Sequence, residues 1–177
     1  MASPRQPRLL EPGSPAPDFR LKNLDGGEST LAEWTARGRV LLAFFKVTCP
    51  VCQLTLPFLE RIHLSGNLAV CAISQNDAAD TREFHQYFGV TFPTLLDSEA
   101  QDFPASNAYG LTNVPTLFLV EPDSVEPDGV EPEGVAPDGV ISRVIESWSK
   151  MDMDSLGELA GMELFRAEDN VPAWKAG

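Results

Sequence analysis

The sequence predicts an α/β domain in three layers, a mixed central sheet with helices on both faces. Residues 40–46 and 68–74 are nearly continuous apolar runs, the pattern of strands buried on both faces rather than one. The first is followed by Leu54, Leu56, Phe58, Leu59 and Ile62 at roughly helical spacing. Further on, strand-like residues 116–120 and 140–148 flank Pro-Asp-Gly turn formulas and precede a last helical pattern. Strand, helix, strand, helix, hairpin and helix in that order imply parallel central strands with an antiparallel pair at one edge.

Residues 1–12 are expected to form a flexible arm, 13–167 the domain and 168–177 a polar C-terminal tail. The first 17 residues hold five prolines and a glycine and show no periodicity. An extended segment at 16–21 and a turn at Asp25-Gly26-Gly27 follow. Ser29 or Thr30 can cap a short helix over 31–36, with Glu33 in its first turn and Gly38 beyond its end. The helix after residue 49 contains Pro57, which should kink it or end its first segment. Asp80 or Thr81 can cap a helix through Phe88 that stops at Gly89. Residues 92–97 read as extended, and 99–109 as a turn or two of helix broken at Pro104. Several residues between Asp152 and Ser155 can cap a final helix reaching about Phe165, with Leu156, Leu159, Met162 (or Glu163) and Phe165 on its apolar face.

Residues 121–140 repeat with a five-residue period: EPDSV, EPDGV, EPEGV, APDGV. Removing three units leaves an ordinary hairpin connection, so one turn reads as expanded by duplication. The carboxylates fall five apart and lack the one-three-five spacing of a calcium loop. The loop over 121–139 is therefore expected to be inert and mobile, the alternative being an acidic partner-binding loop.

The buried run 40–46 leads into Thr48-Cys49-Pro50-Val51-Cys52. This places two cysteines, three apart, where a central strand feeds a helix. Cys49 at the helix N-terminus would face unpaired backbone N–H groups and the positive end of the dipole, which favour a thiolate and make it the nucleophile. Pro50 suits the first helical turn. Cys52, one turn further in and more shielded, can attack a mixed disulfide on Cys49. A half zinc site is one alternative, but Cys71, His63 and His85 form no second spaced pair. Two thiols with only a structural role are another. Cys71, in the middle of an apolar run, reads as a small buried hydrophobe.

At 177 residues the chain is long enough for one well-buried domain. Three cysteines argue against a secreted disulfide framework. Residues 1–8 are polar and lack a signal-like apolar core, and no apolar run reaches membrane-spanning length, so a cytoplasmic location with no membrane contact is expected. The formal net charge is −13, and seven of the 26 acids fall within the repeat. No basic patch is present to neutralise phosphates, which disfavours nucleic acid as a partner.

These residues resemble the thioredoxin-like superfamily, and within it the branch of TlpA-type thiol–disulfide oxidoreductases and the AhpC/TSA (peroxiredoxin-related) proteins. The resemblance rests on Ala16-Pro17-Asp18-Phe19 with Leu21, Thr30-Leu31, and Phe44-Phe45 leading to the cysteine pair. It continues through Ile73-Ser74-Gln75, Phe92-Pro93-Thr94-Leu95 with Asp97, and Val114-Pro115-Thr116. It implies a thioredoxin-like sandwich in which Cys49 is the attacking and Cys52 the resolving thiol. It also implies that Pro115 is a cis-proline lying against the pair, and that Val114 pairs with a bound substrate through its backbone. Thr48 and Pro50 complete the implied substrate-binding set. The implied activity is reduction of protein or small-molecule disulfides, with a thiol electron donor as second partner and neither cofactor nor metal. The oligomeric state is left open. Two features depart from the family pattern: Thr48 stands where a Trp often precedes the first cysteine, and no acid lies in the 40–46 strand, Lys46 being the only charge nearby.

A thiol peroxidase using Cys49 or Cys52 is the second hypothesis. The peroxiredoxin motif sets Pro and Thr seven and three residues before the reacting cysteine. From Cys49 these positions hold Leu42 and Lys46, and from Cys52 they hold Phe45 and Cys49. A non-catalytic binding module, recruiting a partner through the acidic loop, is the third.

Overall fold

A computed structural model describes residues 8–123 and 139–177. Its elements are β1 (Arg20–Asn23), β2 (Glu28–Thr30), α1 (Leu31–Thr35), β3 (Val40–Phe45), α2 (Pro50–Ser65), β4 (Ala69–Ser74), α3 (Ala78–Phe88) and β5 (Thr94–Leu96). A single 3₁₀ turn (Glu99–Gln101) leads to α4 (Pro104–Ala108), β6 (Thr116–Glu121), β7 (Val140–Glu146), β8 (Trp148–Ser149), α5 (Lys150–Leu159) and β9 (Trp174–Lys175). Seven strands form one sheet in the order β2-β1-β5-β4-β3-β6-β7. β3 is parallel to β4, and β4 to β5, while β6 and β7 run antiparallel at one edge, as expected. At the other edge β1 and β2 add a second antiparallel pair that the sequence did not announce, because three or four residues are too few to show alternation.

All six residues of β3 are buried, and they divide between two cores. Leu41, Ala43 and Phe45 join Leu56, Leu59 and Ile62 of α2 and Leu156 of α5. Val40, Leu42 and Phe44 join Leu31 of α1, Ala105 of α4, Cys71 and Phe118. Period-two alternation with apolar layers above and below is why the run reads as uninterrupted.

Several helix boundaries differ from expectation, each for a local reason. Thr30 rather than Ser29 caps α1, in a reciprocal arrangement: the Glu33 N–H donates to Thr30 Oγ1 (3.3 Å) and the Thr30 N–H to Glu33 Oε2 (3.1 Å). Pro57 does not end α2, which runs 16 residues to a left-handed Gly66. Leu56, Phe58, Leu59 and Ile62 on either side of Pro57 are buried against the sheet, and that packing outweighs a lost backbone hydrogen bond. Asp77 caps α3, not Asp80 or Thr81. Thr81 is buried instead, its hydroxyl 2.7 Å from both Ser74 Oγ and the Asp77 carbonyl. Gly89 ends α3 in the left-handed region, as expected. Pro104 begins α4 rather than breaking a helix. Ser149 caps α5, which stops at Leu159 before left-handed Gly161, short of Phe165. Phe165 still packs on Phe58, ring centroids 4.9 Å apart.

β6 and β7 form the inferred hairpin, from Thr116↔Glu146 to Glu121↔Val140. The repeat itself, and the expectation that it is inert and mobile, lie outside the described residues, apart from its first residues and Gly139. Gly139 is packed at the foot of the hairpin. An added Cβ would stand 2.5 Å from Val120 Cγ1, 2.8 Å from the Glu121 carbonyl oxygen and 3.2 Å from Thr35 Cγ2. Gly139→Ala is therefore expected to destabilise the fold by about 2 kcal/mol through crowding. Urea unfolding of the variant against the parent measures this.

Residues 10–13 and the C-terminal tail pack on the domain. The Leu10 N–H donates to the Tyr109 carbonyl (3.2 Å), and the Gly13 N–H to that of Ile141 (2.7 Å). In the tail, Asp169 makes a two-pronged ion pair with Arg61 (2.6 and 3.0 Å). The Trp148 indole N–H donates to the Pro172 carbonyl (2.6 Å), and β9 pairs antiparallel with β8.

Candidate active site

β3 delivers the chain to the end of the sheet at Phe45, and a four-residue turn feeds α2. Side chains pin this turn from both sides. The Val47 N–H donates to Asn76 Oδ1 (3.0 Å), and Gln53 Nε2 donates to the Val47 carbonyl (3.0 Å). The Cys49 N–H closes the turn on the Lys46 carbonyl (3.2 Å). Cys49 is the N-cap of α2, with Pro50 the first helical residue. Its Sγ accepts the Cys52 backbone N–H at 3.3 Å. An anionic sulfur at this position is met by that N–H and by the positive end of a 16-residue helix. Cys49 is half-buried, whereas Thr48 and Pro50 beside it are exposed.

Cys52 lies one turn deeper, with no exposed surface. Burial pushes its thiol far above the usual range. Its hydrogen bond with Cys49 adds to this, and a backbone contact at Lys46 partly offsets it. All three cysteines are free thiols.

The third wall is the loop before β6. The Val114–Pro115 peptide is cis, as the resemblance implied. The Cys49 thiol donates to the Val114 carbonyl at 3.6 Å. The loop is held from behind: the Ser147 N–H donates to the Pro115 carbonyl (3.0 Å), Thr116 Oγ1 to the Asn113 carbonyl (2.8 Å), and Asn113 Nδ2 to Ser147 Oγ (3.3 Å). Ser147 has a left-handed backbone, φ 65°, uncommon for a serine. Gly177 donates its N–H to Ser147 Oγ (2.9 Å) and lies so close to Val114 that a Cβ there would come within 2.3 Å of the Val114 oxygen. Cys49, Cys52, Thr48, Pro50, Val114 and Pro115 therefore come together at one end of the sheet, beyond the carboxyl end of β3, where α/β folds place their sites. Asn76, Gln53 and Ser147, which hold the two loops in place, were not anticipated. Each is a single polar residue in a loop or on a helix, and none forms part of a sequence pattern.

Cys71 is elsewhere, fully buried in β4 in the core on the opposite face of the sheet from Cys52. That separation removes it as a partner for a zinc site at the pair. Burial alone raises its thiol strongly. Above about pH 9 the unfolded chain loses the Cys52 and Cys71 protons while the native chain keeps them. Stability therefore falls as pH rises through that range, by up to about 1.4 kcal/mol per pH unit for each thiol. Cys71→Ala should remove one proton from the slope, which unfolding free energies at a series of alkaline pH values would read directly.

A family model described as the AhpC/TSA family matches residues 12–125. The thiol-disulfide oxidoreductase ResA of Geobacillus thermodenitrificans is 32% identical over 113 residues, 62% of this chain and 63% of that protein. The thioredoxin-like protein YneN of Bacillus subtilis is 30% identical over 123 residues, 66% of this chain and 69% of that one. The match thus spans less than two thirds of the ResA protein's length. Among solved structures, the thioredoxin domain of a thiol-disulfide oxidoreductase from Bacteroides vulgatus superposes with a TM-score of 0.66 at 18% identity. That superposition covers 84% of this chain and 96% of the other. The fold is thioredoxin-like. Among the described residues no helix is long and apolar enough to cross a membrane.

Proposed function

The chain belongs to the AhpC/TSA family, in the thioredoxin-like branch shared with TlpA-type proteins, and from that premise we propose that it is a thiol–disulfide oxidoreductase that reduces protein or small-molecule disulfides. One observation carries the reading: a half-exposed sulfur capping a helix, with a second, fully buried cysteine one turn behind it. The Cys49 thiolate attacks one sulfur of the substrate disulfide. A Cys49–substrate disulfide forms, and the first substrate thiol leaves and takes up a proton. Cys52 gives up its proton and attacks Cys49 Sγ, so that the Cys49–Cys52 bond forms and the second substrate thiol leaves. The substrate gains two electrons and the protein loses two, and a thiol donor restores the dithiol. Val114, whose carbonyl already accepts from Cys49, supplies a main-chain edge for the substrate, with Thr48 and Pro50 flanking it.

The reductase direction belongs with a reducing compartment, and we place the protein in the cytoplasm on that ground. Insulin reduction by the dithiol protein tests the activity, and its potential against a glutathione buffer tests the direction. A reductase should poise near or below the glutathione couple. A strongly oxidising potential would make it a disulfide donor instead. Membership of the AhpC/TSA family also motivates a thiol-peroxidase reading, in which Cys49 becomes a sulfenic acid that Cys52 resolves. Mixing the reduced protein with hydrogen peroxide separates the two, since only a peroxidase consumes peroxide rapidly and in a Cys49-dependent way.

A further inference from the structure

Beside the nucleophile runs a groove of about 300 Å³, lined by Val47, Thr48, Asp80, Glu83, Phe84, Tyr87 and Phe88. Thr48, directly before Cys49, is part of its lining. Its outer wall is one stripe of α3, in which Asp80, Glu83, Phe84 and Tyr87 fall three, four and seven residues apart. An aromatic ladder climbs from the core to the surface there. Ring centroids are 5.1 Å apart for Phe45 and Phe84, 4.5 Å for Phe84 and Phe88, and 4.9 Å for Phe88 and Tyr87. Tyr87 ends the ladder 82% exposed, which its packing does not require.

The groove carries negative charge without a lining cation. Arg82 of α3 points elsewhere, donating to the Leu24 carbonyl, and His85 pairs with Thr94 Oγ1 at 2.8 Å. Lys46 lines a separate cleft with Gln75, Asn113 and Val114. An exposed ring with carboxylates one turn away suits a long cationic side chain, whose methylenes lie on the aromatics while its head meets the π face and the acids. The same acids repel an acidic segment, and the net charge of −13 favours encounter with basic partners.

We propose that this groove selects disulfide-bearing proteins that carry Lys or Arg close to the target cysteine in sequence. The proposal rests on the thiol–disulfide reading and names the substrate class for it. The test uses the full chain and three peptide disulfides that differ only in whether Lys, Ala or Glu flanks the cysteine, together with a small neutral disulfide. The expected result is reduction of the Lys peptide about tenfold faster than the Glu peptide at low salt, a preference that fades as salt screens the charges. Asp80→Asn/Glu83→Gln should bring the Lys-to-Glu ratio close to one, and Tyr87→Ala should lower the rate on the Lys peptide. Glu158→Gln/Glu163→Gln, which removes equal charge outside the groove, should leave the ratio unchanged. Equal rates on the three peptides would overturn the proposal. So would a ratio that responds equally to both double variants, since long-range charge would then be the cause. Failure to reduce any peptide or the small disulfide would instead bring down the oxidoreductase reading, and this proposal with it.

Discussion

Cys49→Ser is expected to lower disulfide reduction by roughly a thousandfold or more, since it removes the one accessible sulfur of the site. A serine hydroxyl accepts the Cys52 N–H as the sulfur does, so α2 keeps its cap and the fold should survive. Cys52→Ser gives a different result. Cys49 can still attack, but nothing releases the product, so a stable protein–substrate disulfide should accumulate and be visible by mass spectrometry under non-reducing conditions. The buried Cys52 thiol holds its proton at neutral pH, so in the parent protein the release step should quicken as pH rises. Rapid-quench measurement of the mixed disulfide would show it persisting longer at pH 7 than at pH 9. Full insulin reduction by Cys49→Ser would remove the basis for assigning the chemistry to this pair.

Trp148→Ala is expected to cost about 4 kcal/mol, the largest single stability effect in the domain. Trp148 is completely buried between Phe58 of α2 (5.5 Å between centroids) and Phe165 (5.9 Å). Its indole N–H also holds the tail at Pro172. Truncation opens a large cavity and frees one carbonyl at once, and the melting temperature should drop by roughly 12 °C. Trp148→Phe separates the two contributions by keeping most of the ring packing and losing only the tail hydrogen bond, at about 1–2 kcal/mol. A loss below about 1 kcal/mol for the alanine variant, by urea unfolding, would show that the tail and α5 do not depend on this side chain.

The centre of the molecule was legible because its signals are local and agree with each other. In β3 a doubly buried strand has no polar residue to interrupt it, and Cys49-Pro50 is both a chemical motif and a helix start. What was not legible depends on partners distant in sequence. Thr81 caps nothing because Ser74 draws its hydroxyl inward. Glu60 of α2 is buried and accepts the N–H groups of Thr91 (2.8 Å) and Phe92 (3.1 Å). Leu164 and Phe165 extend the apolar pattern of α5 past the glycine that stops the helix, because they pack without being helical. The two-residue pairing of β8 with β9 leaves no periodic trace, yet it carries the tail to Val114. At the site itself, the chemistry-bearing residues were readable and their supports were not, since one asparagine or glutamine in the right place makes no pattern.

The antiparallel register of β6 against β3 has a practical corollary. Phe44 faces Thr116 and Val40 faces Val120, so the β6–β7 connection departs from the pole opposite the cysteines, about 17 Å along the strands. A fluorophore or an immobilising handle joined between Asp123 and Gly139 is therefore attached at the pole away from the reactive sulfur. This is where an electrode-tethered or imaging version of the protein should be spliced.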